Sequence, residues 1–390
     1  MPFPRALRRV AASGAAAVLV PALLAGCSSG APGSAAGAAG GVTVTASDTS
    51  CALSATSVRS GTTTFAVTNS GSTVTEFELL AADGVTILGE LENIGPGLTQ
   101  RLSVRTTAGR YTTLCRPGMT GPGVGRTAFT VRGGTTGESS AAATAAVSTY
   151  RAYVREQAAA LLTATEGFAA LVERGDTASA KAAYPKARAF YERIEPIAEK
   201  LGDLDPQLDA RKADLADGAV WTGWHRLEQD LWTSTHLPAS ERKQQATLLV
   251  HRTQQLVERV SAPSFPLSVD GISNGAIGLL DEIAASKVTG EEEVYSHTDL
   301  ADFAANVEGA QVAYRAVRGL AEGQDAALVR TLDRRFAALE DALARYGSAG
   351  AGFRSYDSLS KSDVKALSDG VNAVSEPLSE LTAAVLEELG

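Results

Sequence analysis

Two periods of hydrophobicity divide the chain. Between residues 43 and 133, short runs rich in β-branched and aromatic residues alternate apolar with polar positions: VTVTAS, TTFAVTN, TEFELL, QRLSVRT, GRYTTLC and RTAFTVRG. Gly, Pro and Asn separate them at turn spacing. A period of two in short segments predicts strands, and their number predicts a β-sandwich of roughly 90 residues. From about Ala143 the apolar positions return every three or four residues, as in AYVREQAAALLTATEGFAALVERG, KQQATLLVHRTQQLVERV, NVEGAQVAYRAVRGL and LVRTLDRRFAALEDALARYG. Breaks fall at Gly175-Asp176, Gly202 to Pro206, Ala262-Pro263, Thr289-Gly290 and Gly347 to Phe353. This pattern predicts roughly six to eight helices in two halves, 143–262 and 268–388, packed as one helical bundle or as two fused bundles. No clear internal repeat accompanies the two halves. The expected class is a multidomain β + α protein, with a sandwich at 43–133, a linker at 134–142 and an all-α region at 143–390.

The N-terminus changes the picture of where the protein works. Arg5, Arg8 and Arg9 precede an apolar stretch of roughly 15 residues, too short for a helix to span a bilayer core of about 30 Å. The stretch ends in Leu24-Ala25-Gly26-Cys27, the pattern of a bacterial lipobox, followed by SSGAPGSAAGAAGGV. Residues 1–26 are therefore expected to be a lipoprotein signal peptide, Cys27 the lipidated residue and 27–42 a flexible tether. The expected location is the outer face of the cytoplasmic membrane, in the periplasm or cell envelope. Export by the general or the twin-arginine route stays open. The whole chain carries a net charge of −9, and removal of residues 1–26 takes three arginines and no acid with it, which brings the charge to −12. That balance argues against nucleic acid as a partner and suits cations.

The chain is poor in histidine and tryptophan, with four and three respectively, yet all three tryptophans and one histidine fall in WTGWHRLEQDLW, residues 221–232. His225 and Glu228 are three apart, hence on one helix face, and offer an imidazole nitrogen and a carboxylate oxygen to a first-row metal. The plain alternative is a surface His–Glu pair. Upstream, FYERIEPIAEKLGDLDPQLDAR repeats the spacing in Glu192 and Glu195, with Pro196 disturbing the helix beside Glu195. Asp209 follows a Pro-bearing turn. In the sandwich, the strand GRYTTLC leading to a Met-bearing loop is similar to the cupredoxin ligand loop, but residues 43–133 contain no histidine. A blue-copper site of two His and one Cys is excluded. The remaining candidates are Cys51, Glu76, Glu78, Cys115 and Met119. The two cysteines suit either a disulfide or a thiolate metal site, and both cannot hold for the same sulfurs.

FYERIEPIAEKLGDLDPQLDARKAD, WTGWHRLEQDLW, LLDEIAASKVTGEEEVYSHTDLADFAANVEGAQ and YDSLSKSDVKALSDGVNAVSEPLSELTAAV resemble the imelysin-like domain of the EfeO family. With its N-terminal cupredoxin-like domain, that family accounts for nearly all of residues 43–390. The resemblance implies an extracytoplasmic iron-binding component of an EfeUOB-type uptake system, not an enzyme. Its implied partners are an iron permease of the EfeU type, a haem peroxidase of the EfeB type and the membrane through the lipid anchor. It carries the family's H-x-x-E onto His225 and Glu228 and the accompanying acids onto Glu195 and Asp209, with Glu282 as a further carboxylate. His297 is expected to act behind the ligands or as a cap, and His236 and His251 to lie on the surface. In the cupredoxin-like domain it implies Cys51, Cys115, Glu76 and Glu78 as ligands for copper or a second iron, with a ferroxidase-like role left open. The competing readings are a metallopeptidase of the imelysin type and a surface module with a vestigial site. H-E-x-x-H, which a zinc peptidase commonly uses, is absent from the sequence.

Overall fold

The structure, a computed structural model, describes residues 41–133, 140–215, 218–285 and 287–388. The expected signal peptide, Cys27, residues 27–40 of the expected tether and most of the linker lie outside the described residues, whereas Gly41 and Val42, expected in the tether, already open the first strand. Among the described residues, no helix is long and apolar enough to cross a membrane.

The N-terminal part is a sandwich of two sheets. One has the order β2-β1-β4-β7, from β1 (Gly41–Ala46), β2 (Cys51–Leu53), β4 (Gly61–Asn69) and β7 (Thr99–Thr106). The other has the order β3-β9-β8-β5-β6, from β3 (Ser57–Arg59), β5 (Thr75–Leu80), β6 (Ile87–Ile94), β8 (Gly109–Pro117) and β9 (Val124–Arg132). Alternate residues of each strand point inward. The inward set meets in a core where Phe65 lies 5.1 Å from Phe77 and 5.3 Å from Phe129, ring centre to ring centre. The exception is β5, TEFELL, which is buried along its whole length. Its Phe77 and Leu79 fill the core, so Glu76 and Glu78 are buried on the opposite face, where ordinary sandwich strands meet water.

The cause lies in the second part. Ten α-helices follow among the described residues: α1 (Ala141–Glu173), α2 (Thr177–Glu192), α3 (Leu204–Asp209), α4 (Trp224–Trp232), α5 (Ala239–Ser261), α6 (Val269–Ala285), α7 (Asp299–Gln324), α8 (Ala326–Leu343), α9 (Lys361–Leu378) and α10 (Leu381–Glu387). The number exceeds the expectation because α3 and α10, of six and seven residues, are too short to show a helical period. One unbroken apolar core runs through them, from Ala143 in α1 to Val385 in α10. It is therefore a single fused bundle in which α7 packs on α1, α2, α6, α8 and α10. Helix α6 lies against β6 and β7 of the sandwich. Asp270 at its start accepts the Arg105 backbone N–H at 2.8 Å, and Asn274 donates to the Ser103 carbonyl at 2.9 Å. This docking covers the outer face of the sheet beside β6.

Two glycines set close approaches that position polar groups. Gly223 has φ 92°, and a Cβ there would lie 2.0 Å from the Leu208 carbonyl oxygen, so only glycine lets the start of α4 touch the end of α3. A Cβ on Gly275 of α6 would lie 1.9 Å from the Pro196 carbonyl oxygen, which holds the 3₁₀ turn Glu195–Leu201 against α6.

Candidate metal centre

Helix α4 is amphipathic in an unusual sense: its buried face carries Trp224, Leu227 and Leu231 together with His225, Glu228 and Asp230. The tryptophans fix it. Trp224 packs against Phe168 at 5.3 Å and Tyr184 at 5.8 Å, Trp232 against Tyr184 at 5.4 Å, and Trp221 donates from Nε1 to the Ala210 carbonyl at 2.8 Å. Each aromatic body buries apolar surface while pinning one side of the helix. The concentration of tryptophan in this stretch thus anchors the element that carries His225.

His225 is 1 % exposed and Glu228 fully buried. Their side chains meet at 3.3 Å, Nδ1 to Oε2. The other Glu228 oxygen accepts the backbone N–H groups of Tyr295 at 2.9 Å and Ser296 at 2.7 Å. On the far side of the imidazole, Nε2 lies 3.5 Å from Asp209 and 3.6 Å from Glu292, and Glu293 lies 3.9 Å from Nδ1. Ligand atoms of Asp209, His225 and Glu292 lie within 4.8 Å of one another, as do those of His225, Glu228 and Glu293. Nε2 of His225 and both oxygens of Asp302 find no hydrogen-bond partner among the described residues although they are buried. Such atoms carry a desolvation cost that a bound cation would offset.

The centre is strongly acidic, and Arg188 of α2 is its internal counter-charge. Its guanidinium is fully buried and contacts Glu192 and Asp209, with Glu293 at 2.7 Å, Glu292 at 3.4 Å and Asp302 at 3.5 Å. Burial and the Arg188 charge oppose protonation of His225, but Glu228, Glu292 and Asp209 outweigh them and push its pKa up to about 9. Burial drives Glu293 and Asp302 well above the ordinary carboxylate range. It acts on Glu292 too, but Lys287, His225 and Arg188 hold that group well below it. Groups pushed this far apart mark a site built around charge.

Of the residues singled out from sequence, the structure brings His225, Glu228 and Asp209 together. Glu195 and Glu282 converge instead on Lys287, at 2.5 and 3.8 Å, in a neighbouring polar pocket. Glu192, 3.5 Å from Lys287, joins the two pockets through its contact with Arg188. Glu292, Glu293, Asp302 and Arg188 were not foreseen. Of the three consecutive glutamates 291–293, Glu292 and Glu293 are buried and only Glu291 is exposed. A usable signal exists in α7, where Asp299, Asp302 and Asn306 form a polar stripe at helical spacing on a buried face. His297 stands apart, half-exposed with φ 55°, 3.3 Å from Asp357, and Thr298 is the residue at the N-cap of α7.

In the sandwich, Cys51 and Cys115 form a disulfide, so their sulfurs are bonded to each other and are not thiolate ligands in this state. Strand alternation also separates them from the glutamates. Cys115 pairs with Phe77 on the core face, whereas Glu76 and Glu78 point outward with Arg116, which bonds Glu78 and lies 3.7 Å from Glu76. Met119 sits in a turn with φ 55°, outside the acidic groupings of the sandwich.

Comparison with known proteins agrees with this architecture. The family model described as imelysin matches residues 146–381, and that of the cupredoxin-like domain matches residues 15–124. The iron uptake system component EfeO of Yersinia pestis is 36% identical over 346 residues, covering 87% of this chain and 90% of that protein. The protein of the same name from Escherichia coli strain K12 is 36% identical over 348 residues, again covering 87% and 90%.

Proposed function

The chain belongs to the imelysin family, in the two-domain form of the EfeO iron-uptake components, and from that premise we propose that it binds iron outside the cytoplasm and passes it to a membrane permease. The observation that carries the reading is the buried imidazole of His225, with carboxylates of Glu228, Asp209, Glu292 and Glu293 within 3.9 Å of its two nitrogens. One nitrogen and several oxygens form a donor set suited to iron. In the metal-free protein His225 carries a proton at neutral pH, so the cation enters by displacing it. Arg188 keeps the carboxylates from repelling one another while no cation is bound, and has to loosen its hold on Asp209 and Glu292 as one arrives. Lipidation of Cys27 would hold the protein at the outer face of the membrane beside an EfeU-type permease and an EfeB-type haem peroxidase.

A peptidase reading gains little from this geometry. Hydrolysis of a peptide needs a metal position open to substrate beside its ligands, and here His225 and Glu228 are enclosed. The test is a titration of the full chain with Fe²⁺ and Fe³⁺, comparing wild type with His225→Ala and Glu228→Gln. Loss of iron affinity in both variants with folding intact supports the reading. Unchanged affinity refutes it.

A further inference from the structure

Glu292 and Glu293 reach His225 from a loop that the helices do not hold. The apolar core of the helical region includes Val288 and Leu300 but no residue from 289 to 299. The loop's own aliphatic side chain, Val294, is 45 % exposed. A segment held mainly by polar contacts opens at lower cost than a packed helix. Both of its ends lie in the left-handed region, Gly290 at φ 80° and His297 at φ 55°. A histidine keeps that conformation only where its surroundings impose it.

One residue outside the centre grips both ends. The Tyr356 hydroxyl donates to the Val288 carbonyl, and the Tyr356 backbone N–H donates to the His297 carbonyl at 2.9 Å. The ring fills the place of a side chain on Gly290, where a Cβ would lie 2.5 Å from two ring carbons. Tyr356 is itself well anchored. It opens the 3₁₀ turn Tyr356–Ser358, between the small hairpin Gly347–Ser348 with Gly352–Phe353 and Ser360, which caps α9 in a reciprocal box with Asp363. Phe353, Tyr356 and Leu359 all pack on the helical core. None of these contacts involves a carboxylate of the centre. The neighbouring pair of His297 and Asp357, at 3.3 Å, lies at the surface, where an ion pair holds little.

We propose that Tyr356 is a positioning residue for metal exchange: it bolts the loop 290–297 over His225, and the loop swings out when a cation enters or leaves. That the cation is iron rests on the iron-binding reading; that Tyr356 holds the loop does not. The centre needs such a gate. His225, Glu228, Glu292, Glu293 and Asp302 are each at most 4 % exposed, so a cation reaches them only when part of the wall moves. The bolt acts on the balance between closed and open loop and touches no ligand. While the closed form dominates, loosening the bolt raises the rates of entry and departure by the same factor and leaves affinity nearly unchanged.

The experiment loads the full chain with Fe³⁺ from its citrate complex and follows transfer to a catechol chelator, in excess enough that the rate no longer depends on it. Tyr356→Phe keeps the ring over Gly290 and loses the bond to Val288. It should speed transfer by roughly 3–10-fold, the share of one lost hydrogen bond, with iron affinity within about twofold of wild type. Gly290→Ala, which drives the ring away, should speed transfer at least as much, and Asp357→Asn should leave it unchanged. Tyr314→Phe is the control, because it loses hydroxyl bonds to the Val329 carbonyl and Asp333, between α7 and α8. In the metal-free chain, hydrogen exchange of the Tyr295 and Ser296 amides should quicken in Tyr356→Phe and not in Tyr314→Phe. Wild-type transfer and amide exchange in Tyr356→Phe overturn the bolt. An equal rise in Tyr356→Phe and Tyr314→Phe makes Tyr356 structural only and overturns it too. Wild type that takes up no iron refutes the iron reading instead, and the amide exchange then decides by itself whether Tyr356 holds the loop.

Discussion

His225 and Glu228, three residues apart on α4, meet at 3.3 Å inside the protein, and each biases the other's proton. The carboxylate helps raise the imidazole, and although burial works to raise the Glu228 carboxyl, the bond to His225 lowers it on balance. The pair is thus held as imidazolium and carboxylate.

Glu228→Gln separates charge from shape. The amide still accepts the Tyr295 and Ser296 N–H groups through its carbonyl oxygen, so the fold should hold. The His225 pKa, read by NMR, should fall from about 9 toward its ordinary value. Iron affinity should fall by more than the roughly 10–100-fold typical of a group behind the ligands. An unaltered imidazole titration would remove Glu228 from the pair.

The metal-free protein should lose stability as pH rises from about 5 to about 9. Burial and the Glu78 charge push Glu76 up to about 8, burial pushes Asp205 to about 7, and His225 stands at about 9. All three are raised on folding, so the stability they add is fully present below their ordinary pKa values and lost as pH climbs through the raised ones. Glu228 and Glu292 are lowered and act in the opposite sense, costing stability below about pH 4.5. Thermal unfolding of the metal-free chain across this range checks the sign. A melting temperature that climbs from pH 5 to 8 would contradict it.

Gly223→Ala should both destabilise and disarm the protein. The added Cβ meets the Leu208 carbonyl oxygen at 2.0 Å and forces a non-glycine residue to φ 92°. Backbone strain of this kind costs about 1–3 kcal/mol. Since Asp209 follows Leu208 directly, relief of the clash moves a carboxylate away from His225. Denaturant unfolding and iron titration together should report both effects.

Cys51 and Cys115 are 64 residues apart in sequence, and their disulfide ties β2 to β8. Replacing both with Ala should cost about 2–5 kcal/mol of stability. Iron content should stay at the wild-type level, because the glutamates occupy the other face of the sheet. A variant that keeps its fold but loses one iron would mean that the sulfurs take part in binding after all.

The alternation in TTFAVTN and the three-to-four spacing after Ala143 made both fold classes legible, because each period follows from where a core must be. The triplet His225, Glu228 and Asp209 was legible in part, since His225 and Glu228 share one helix turn and the pair stood among tryptophans. Glu292 and Glu293 were not, because burial of a charge depends on what folds over it, and residues 287–298 contain no α-helix or strand to reveal a period. The placement of Glu282 beside Lys287 was not legible for a related reason. Its position on α6 is periodic, but its partner Lys287 is held by groups from three other elements, Glu192, Glu195 and Asn306, which meet only in the folded chain. The pairing of Glu78 with Glu90 depends on strand register, which two separate runs of sequence do not state.

The unbroken apolar core of the helical region bears on how a cargo leaves. A carrier that opens like jaws needs a seam between lobes, and here such a seam would tear the packing from Ala143 to Val385. On the proposed iron-carrying reading, release that keeps this packing has to be local. Glu292 and Glu293 ride on the non-helical stretch 291–298, which is pinned to α4 by the two backbone N–H groups that Glu228 accepts. That stretch carries two of the carboxylates that face the imidazole, so displacing it alone would take both from His225.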